Sequence, residues 1–230
     1  HKIVGSILDL AERYSNDGAD ELVFYDISAS TKGSIVNREW VSKIAEVINI
    51  PFCVAGGIKT LDDAKEILNL GADKISINTP ALVNPKLIKE LSDEFGSQCV
   101  VIGMDVKIID NEAYLFAKTG NEKTAYSTDI LASNWLVKVQ ELGAGEVVIN
   151  AMGQDGVQQG YDIDLLQTLE KFCSIPMIAS GGAGGPQDFI DVFKKTNVDG
   201  ALAASIFHRN KFSIGEIKEV LKYNEINIRI

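Results

Sequence analysis

Asp105 closes an apolar run, Val100-Val101-Ile102-Gly103-Met104. A carboxylate held at the end of such a run is a candidate general acid or base, because proton transfer needs a titratable group at a fixed place. The plainer alternative is an acid that caps a helix or pairs with Lys107. Two other groups suit phosphate: Gly56-Gly57 with Asn78-Thr79, and Gly181-Gly182 with Ala204-Ser205. In each, glycines let backbone amides approach an anion, and a hydroxyl or amide adds a donor. A single Gly-Gly pair is as well explained by a tight turn. The two groups are copies of one another, which favours the phosphate reading and implies a long substrate with a phosphate at each end. Asp26 ends another apolar run, and Asp155, in Gln154-Asp155-Gly156, suits a catalytic, ligand-contact or turn role. Glu21, Lys74 and Glu146 each stand just before an apolar run. If those runs share a barrel layer, the three charges meet at its floor, where burial requires them to pair. His1 and His208 are the only histidines. No zinc cluster or Ser-His-Asp triad can be assembled, and acid–base work falls to carboxylates.

These residues need elements to position them. Nearly continuous apolar runs predict parallel strands over 22–27, 52–55, 74–78, 99–105, 146–150, 177–179 and 200–203. Helical spacing predicts helices over 6–16, 38–48, 61–70, 85–95, 129–142, 163–173, 186–196 and 213–223. Thr60 ahead of Asp62-Asp63 reads as an N-cap, and Pro85 and Pro186 suit first helical positions. Gly18, Gly71 and Gly143 follow helices as C-cap residues do. Residues 106–118 read as a hairpin turning at Asp110-Asn111.

The chain also repeats itself. Gly18 to Val23 returns as Gly143 to Val148, and Ile50-Pro51 with Gly56-Gly57 returns as Ile175-Pro176 with Gly181-Gly182, both at an offset of 125 residues. Asp73 to Thr79 answers Asp199 to Ser205 at an offset of 126. A period this long means two fused half-domains of strand–helix units, hence an α/β (βα)8 TIM barrel of two half-barrels, about 1–97 and 98–230, forming one domain. The strand at 99–105 has no partner in the first half, so its repeat counterpart is expected upstream of His1. In this fold the active site lies at the C-terminal ends of the strands.

Composition narrows the function classes. The length of 230 residues fits one large α/β domain, and 46% hydrophobic with 23% charged residues is ordinary for a soluble protein. The net charge of −10 argues against nucleic-acid binding driven by phosphate neutralisation. It leaves small phosphates open, since backbone amides bind those whatever the net charge. Cys53, Cys99 and Cys173 form no CxxC pair and read as reduced thiols of a cytoplasmic protein, with Cys53 and Cys173 as buried small hydrophobes. No stretch reaches membrane-spanning length, so no membrane partner is expected.

The residues around these sites carry a resemblance. Asp20 to Ser30, Ala55-Gly56-Gly57-Ile58, Gly71 to Thr79, Phe95-Gly96-Ser97-Gln98, Asn150 to Asp162 and Ala179 to Gly184 resemble the cyclase subunit of imidazole glycerol phosphate synthase, of histidine biosynthesis, and the likeness runs along essentially the whole chain. The resemblance implies a heterodimer with a glutaminase subunit. Ammonia from glutamine would cross the barrel and react with a bis-phosphorylated aminoimidazole carboxamide ribonucleotide bearing a phosphoribulosyl arm. The products would be imidazole glycerol phosphate and AICAR, with no cofactor and no metal. Position by position, Asp105 matches a catalytic aspartate. Gly57, Asn78 and Thr79 match one phosphate grip, and Gly182, Ala204 and Ser205 the other. Asp155 matches a substrate contact, and Glu21, Lys74 and Glu146 match an ammonia gate. Asp73 and Gln98 match positions at the partner interface. The family's other catalytic aspartate, a gate arginine and a loop lysine would precede His1.

Three other readings compete. The sister phosphoribosyl isomerase of the pathway shares the duplication and the phosphate grips, but has no ammonia to admit and so no use for the gate charges. A cyclase-like paralogue that channels ammonia elsewhere is a second. A glutaminase-binding module without chemistry of its own is the third.

Overall fold

The computed structural model describes residues 5–25, 39–121, 123–154 and 156–229. Among them, strands β1 (Leu22–Tyr25), β2 (Phe52–Ala55) and β3 (Lys74–Ile77) alternate with helices α1 (Ile7–Asn16), α2 (Glu39–Val47) and α3 (Leu61–Asn69). Two helices, α4 (Thr79–Val83) and α5 (Lys86–Phe95), follow β3. Then come β4 (Val100–Ile109), β5 (Glu112–Ala117), β6 (Tyr126–Leu131) and α6 (Ala132–Glu141). The chain continues through β7 (Glu146–Ala151), α7 (Ile163–Leu169), β8 (Met177–Ser180), α8 (Pro186–Lys195), β9 (Gly200–Leu202), α9 (Ser205–His208) and α10 (Ile214–Tyr223).

The sheet path runs β1-β2-β3-β4-β7-β8-β9, and every pairing along it is parallel. Parallel strands need crossovers, and helices supply them on the outer face. Side chains alternate across the sheet. Phe52, Val54, Ile75, Ile102, Met104, Val147 and Ile149 face the helices in the main core, whereas Cys53, Val101 and Val148, with Val23 and Ile178, form a separate cluster on the opposite, inner face. An inward-curled parallel sheet with an apolar interior and an outer ring of helices is the TIM-barrel-like α/β fold expected from the repeat. The two ends of the path, β1 and β9, are brought near one another by helix contacts. Arg13 in α1 donates to the Phe207 carbonyl at 3.0 Å and to Asn210 Oδ1 at 2.9 Å. Lys218 in α10 pairs with Asp20 at 2.8 Å.

Local chemistry explains most boundaries. Thr60 caps α3 in a reciprocal capping box with Asp63. Asp110 and Asn111 both have positive φ, as a two-residue hairpin turn demands. Several expectations need correction. The excursion after β4 has three strands rather than two, because β6 pairs antiparallel with β5. Residues 129–131 therefore belong to a strand, and α6 starts at Ala132. The Ser127-Thr128-Asp129 run looks like a helix cap, but Thr128 instead donates to the Leu115 carbonyl at 2.9 Å and Asp129 takes a left-handed conformation at an irregularity in the ladder. Pro85 occupies the N-cap position, one residue before α5 begins. Residues 170–172 form a 3₁₀ turn after α7. Cys53 is buried as expected, while Cys173 is partly exposed. Among the described residues, no helix is long and apolar enough to cross a membrane.

Candidate functional site

The inner face of the sheet carries polar groups at both ends of its apolar layer. At the N-terminal end, Lys74 opens β3 and its Nζ donates to Glu21 Oε2 and Glu146 Oε2, each at 2.7 Å. The three side chains are only 21%, 28% and 16% exposed, so the charges are largely withdrawn from water and rely on one another. Burial alone would lower the Lys74 pKa, but hydrogen bonds and charge from Glu146 and Glu21 outweigh it and the ammonium is held above its ordinary value. Burial raises the Glu21 pKa, and the Lys74 hydrogen bond and charge only partly oppose it. Directly inward lies Cys53, fully buried, whose thiol is pushed well up by burial and by the nearby Glu21 and Glu146 charges.

At the C-terminal end, Asp105 sits within β4, where the barrel strand continues outward into the hairpin. Its partner in the parallel register is Asn150 of β7, whose amide donates to Asp105 Oδ1 at 2.7 Å. The Asn78 amide donates to Oδ2 at 2.7 Å, and the Thr119 hydroxyl makes a short hydrogen bond to the same oxygen. Among the described residues, these three neutral donors fix the carboxylate's orientation at the mouth. Lys107 lies over the Phe116 ring, 5.9 Å from its centroid. Asn150 is among the strand-end positions where the fold directs the search, but Thr119 escaped the sequence reading, because it lies on a loop whose return over the mouth left no sequence signal.

The two phosphate candidates flank this carboxylate. Gly57 follows β2 with φ 72° and Gly182 follows β8 with φ 105°. At Gly182 a side chain is impossible as well as strained, because a Cβ would lie 2.0 Å from the Gly160 carbonyl oxygen, and the Gly160 amide donates to the Gly182 carbonyl at 2.9 Å. Asn78-Thr79 and Ala204-Ser205 open the short helices α4 and α9, which the sequence reading missed because they span only five and four residues. Thr79 Oγ1 accepts from the Lys118 amide at 2.9 Å, and Ser205 Oγ accepts from Gln158 Nε2 at 3.0 Å. Since the Asn78 side chain holds Asp105, what it can offer an anion is its backbone amide. Asp26 and Asp155 lie outside the described residues.

Of the expected interface positions, Gln98 is exposed and donates to the Phe95 carbonyl at 3.3 Å. Asp73 accepts from the Phe52 amide at 3.0 Å, tying β3 to β2. Its repeat counterpart Asp199 accepts from the Met177 amide at 2.9 Å and ties β9 to β8 in the same way. Asp73 thus has a structural duty whatever else it touches. Among the described residues no group of His, Cys, Asp and Glu is disposed to hold a metal ion.

Residues 1–213 match the family described as histidine biosynthesis protein. The chain is 54% identical over its whole length to the imidazole glycerol phosphate synthase subunit HisF of Aliivibrio salmonicida, covering 90% of that protein. It is 55% identical to the protein of the same name from Psychromonas ingrahamii and 53% identical to that from Pseudoalteromonas translucida, again over all of this chain and 90% of each relative.

Proposed function

Because the chain belongs to the histidine biosynthesis protein family, we propose that it is the cyclase subunit of imidazole glycerol phosphate synthase, a lyase that consumes ammonia supplied by a glutaminase partner. One observation carries this reading: a paired cation–carboxylate cluster and an oriented carboxylate occupy opposite ends of one barrel interior. An isomerase without ammonia has no use for the first.

In this reading ammonia enters past Glu21, Lys74 and Glu146. It then crosses the apolar layer of Val23, Cys53, Val101, Val148 and Ile178, where a neutral molecule pays far less desolvation than an ion. At the mouth, the amides and hydroxyls around Gly57, Asn78 and Thr79 hold one phosphate of the bis-phosphorylated ribonucleotide, and those around Gly182, Ala204 and Ser205 hold the other. Asp155 contacts the substrate. Asp105 assists ammonia attack on the ribulosyl carbonyl, and a second carboxylate handles protons in the cleavage and ring closure that release imidazole glycerol phosphate and AICAR. Asp73 and Gln98 lie on the face that meets the glutaminase, and the chain acts in the cytoplasm as one domain.

The test is ammonia-dependent loss of the ribonucleotide's ultraviolet absorbance, with ammonium salt alone and then with glutamine and the glutaminase subunit. Turnover from both nitrogen sources is the result that supports the cyclase reading. Stimulated glutamate release without product would instead identify a binding module, and no response in either assay would remove the cyclase reading.

A further inference from the structure

Gln158 is one of the few non-glycine residues with a left-handed backbone, at φ 58°. Such a conformation costs free energy and persists only where the surroundings impose it. Here they do. The Gln158 carbonyl packs so closely on Gly184 that a Cβ on Gly184 would lie 2.4 Å from its oxygen. The Gly184 carbonyl is in turn held by Lys211 Nζ at 2.6 Å, and its amide donates to Asp188 at 2.7 Å. This fixed backbone aims the partly buried side chain across the mouth, where Nε2 donates to Ser205 Oγ at 3.0 Å.

A hydroxyl that accepts one hydrogen bond has one of its two lone pairs taken and its own hydrogen left to donate, directed away from the donor it already meets. The twin site is built alike. Thr79 Oγ1 accepts from a backbone amide, that of Lys118, at 2.9 Å. Phosphate oxygens only accept, so a hydroxyl set to donate suits them. The two hydroxyls differ in what they accept from: the donor is main chain at Thr79 and side chain at Ser205.

We propose that Gln158 is a positioning residue that sets the Ser205 hydroxyl to donate to a substrate phosphate, making this grip the one of the two that a side-chain change can retune. The inference rests on the phosphate reading of Ser205 given above.

Steady-state kinetics with ammonium salt on the full chain test it, with kcat and KM separated. Gln158→Leu removes the donor. Gln158→Asn keeps the amide one methylene too short and tolerates the left-handed backbone, which guards against a misfolded leucine variant. Both should raise KM for the bis-phosphorylated ribonucleotide about fivefold to tenfold, the worth of one hydrogen bond, with kcat within about twofold. Gln158→Lys, which restores a donor, should bring KM most of the way back. Ser205→Ala should raise KM by itself, and adding Gln158→Leu to it should change little further, since the two act through one contact. If Ser205→Ala raises KM while Gln158→Leu and Gln158→Asn leave it unmoved, or if the effects add fully, the role of Gln158 is overturned and the phosphate grip stands. If Ser205→Ala leaves KM unmoved, the grip itself falls and Gln158 with it.

Discussion

The two ends of the barrel interior both concentrate polar groups, but they settle them differently. At the N-terminal end one ammonium lies between two carboxylates, and each charge has a charged partner. At the C-terminal end one carboxylate accepts from Asn78, just after β3, from Asn150 of β7 and from Thr119 of the returning loop, all neutral donors. The first arrangement spends its charges on itself. The second turns neutral donors on both oxygens of its carboxylate and so fixes its orientation. In the function proposed above, the first end is the structural and filtering one and the second the reactive one.

That contrast can be broken by substitution. Asp105→Asn should lower ammonia-dependent kcat by roughly 10²- to 10⁴-fold, the range for a lost acid–base group, with KM within a few fold and thermal stability near that of the parent. Normal turnover would remove Asp105 from the chemistry. Lys74→Met should do the reverse in kind. It strands two partly buried carboxylates, and urea unfolding should show a loss of about 2–3 kcal/mol, below the fully buried case because some water reaches the cluster. A smaller loss would mean the cluster is wetter than its burial indicates.

The pH dependence sharpens the same comparison. Lys74 is held above its ordinary pKa of 10.5, so its protonation contributes stability that is fully present below about pH 10.5 and fades as pH rises through the folded-state value. Melting curves between pH 9 and 12 should show this loss in the parent and not in Lys74→Met. His208 gives an acid counterpart outside the barrel. Burial first, and the Arg13 charge second, hold it below its ordinary 6.5, and its Nδ1 lies 2.6 Å from the Tyr14 hydroxyl. Folding with a neutral imidazole contributes stability that is present above about pH 6.5 and is lost as pH falls through the lower folded-state value. His208→Asn should flatten the stability profile there. The smallest effect is expected from the paired clamps: Asp73→Asn and Asp199→Asn should each cost about 1 kcal/mol, and similar amounts, if the two halves are built alike.

The duplicated architecture was legible because the features that encode it are local. Gly-Gly pairs, Ile-Pro pairs and apolar runs mark turns and buried parallel strands wherever they recur, and the floor triad followed from charges placed at strand starts. The mouth was legible only in part. Asp105 stood out as a charge in an apolar run and Asn150 as a strand-end position, but Thr119 and Gln158 are ordinary polar residues whose importance comes from what the fold sets beside them. The third strand of the excursion was hidden because Ser127-Thr128-Asp129 satisfies the chemistry of a helix cap as well as that of a bulged strand. The helices α4 and α9 were hidden because four or five residues are too few to show a period.

The clamps and the contacts that draw α1 toward α9 and α10 also differ in reach along the chain. Asp73 meets the Phe52 amide 21 residues away and Asp199 meets the Met177 amide 22 away, whereas Arg13 reaches Phe207 across 194 residues and Lys218 reaches Asp20 across 198. Closing a loop costs more entropy as it lengthens, so the two clamped strand pairs are the inexpensive units to assemble and the helix-to-helix closure is the expensive one. Refolding should therefore protect the amides of β2, β3, β8 and β9 from hydrogen exchange early, in both halves at similar rates, and those of α1 and α10 late. The molecule would form as two like pieces that later join, retracing in time the repetition written in its sequence.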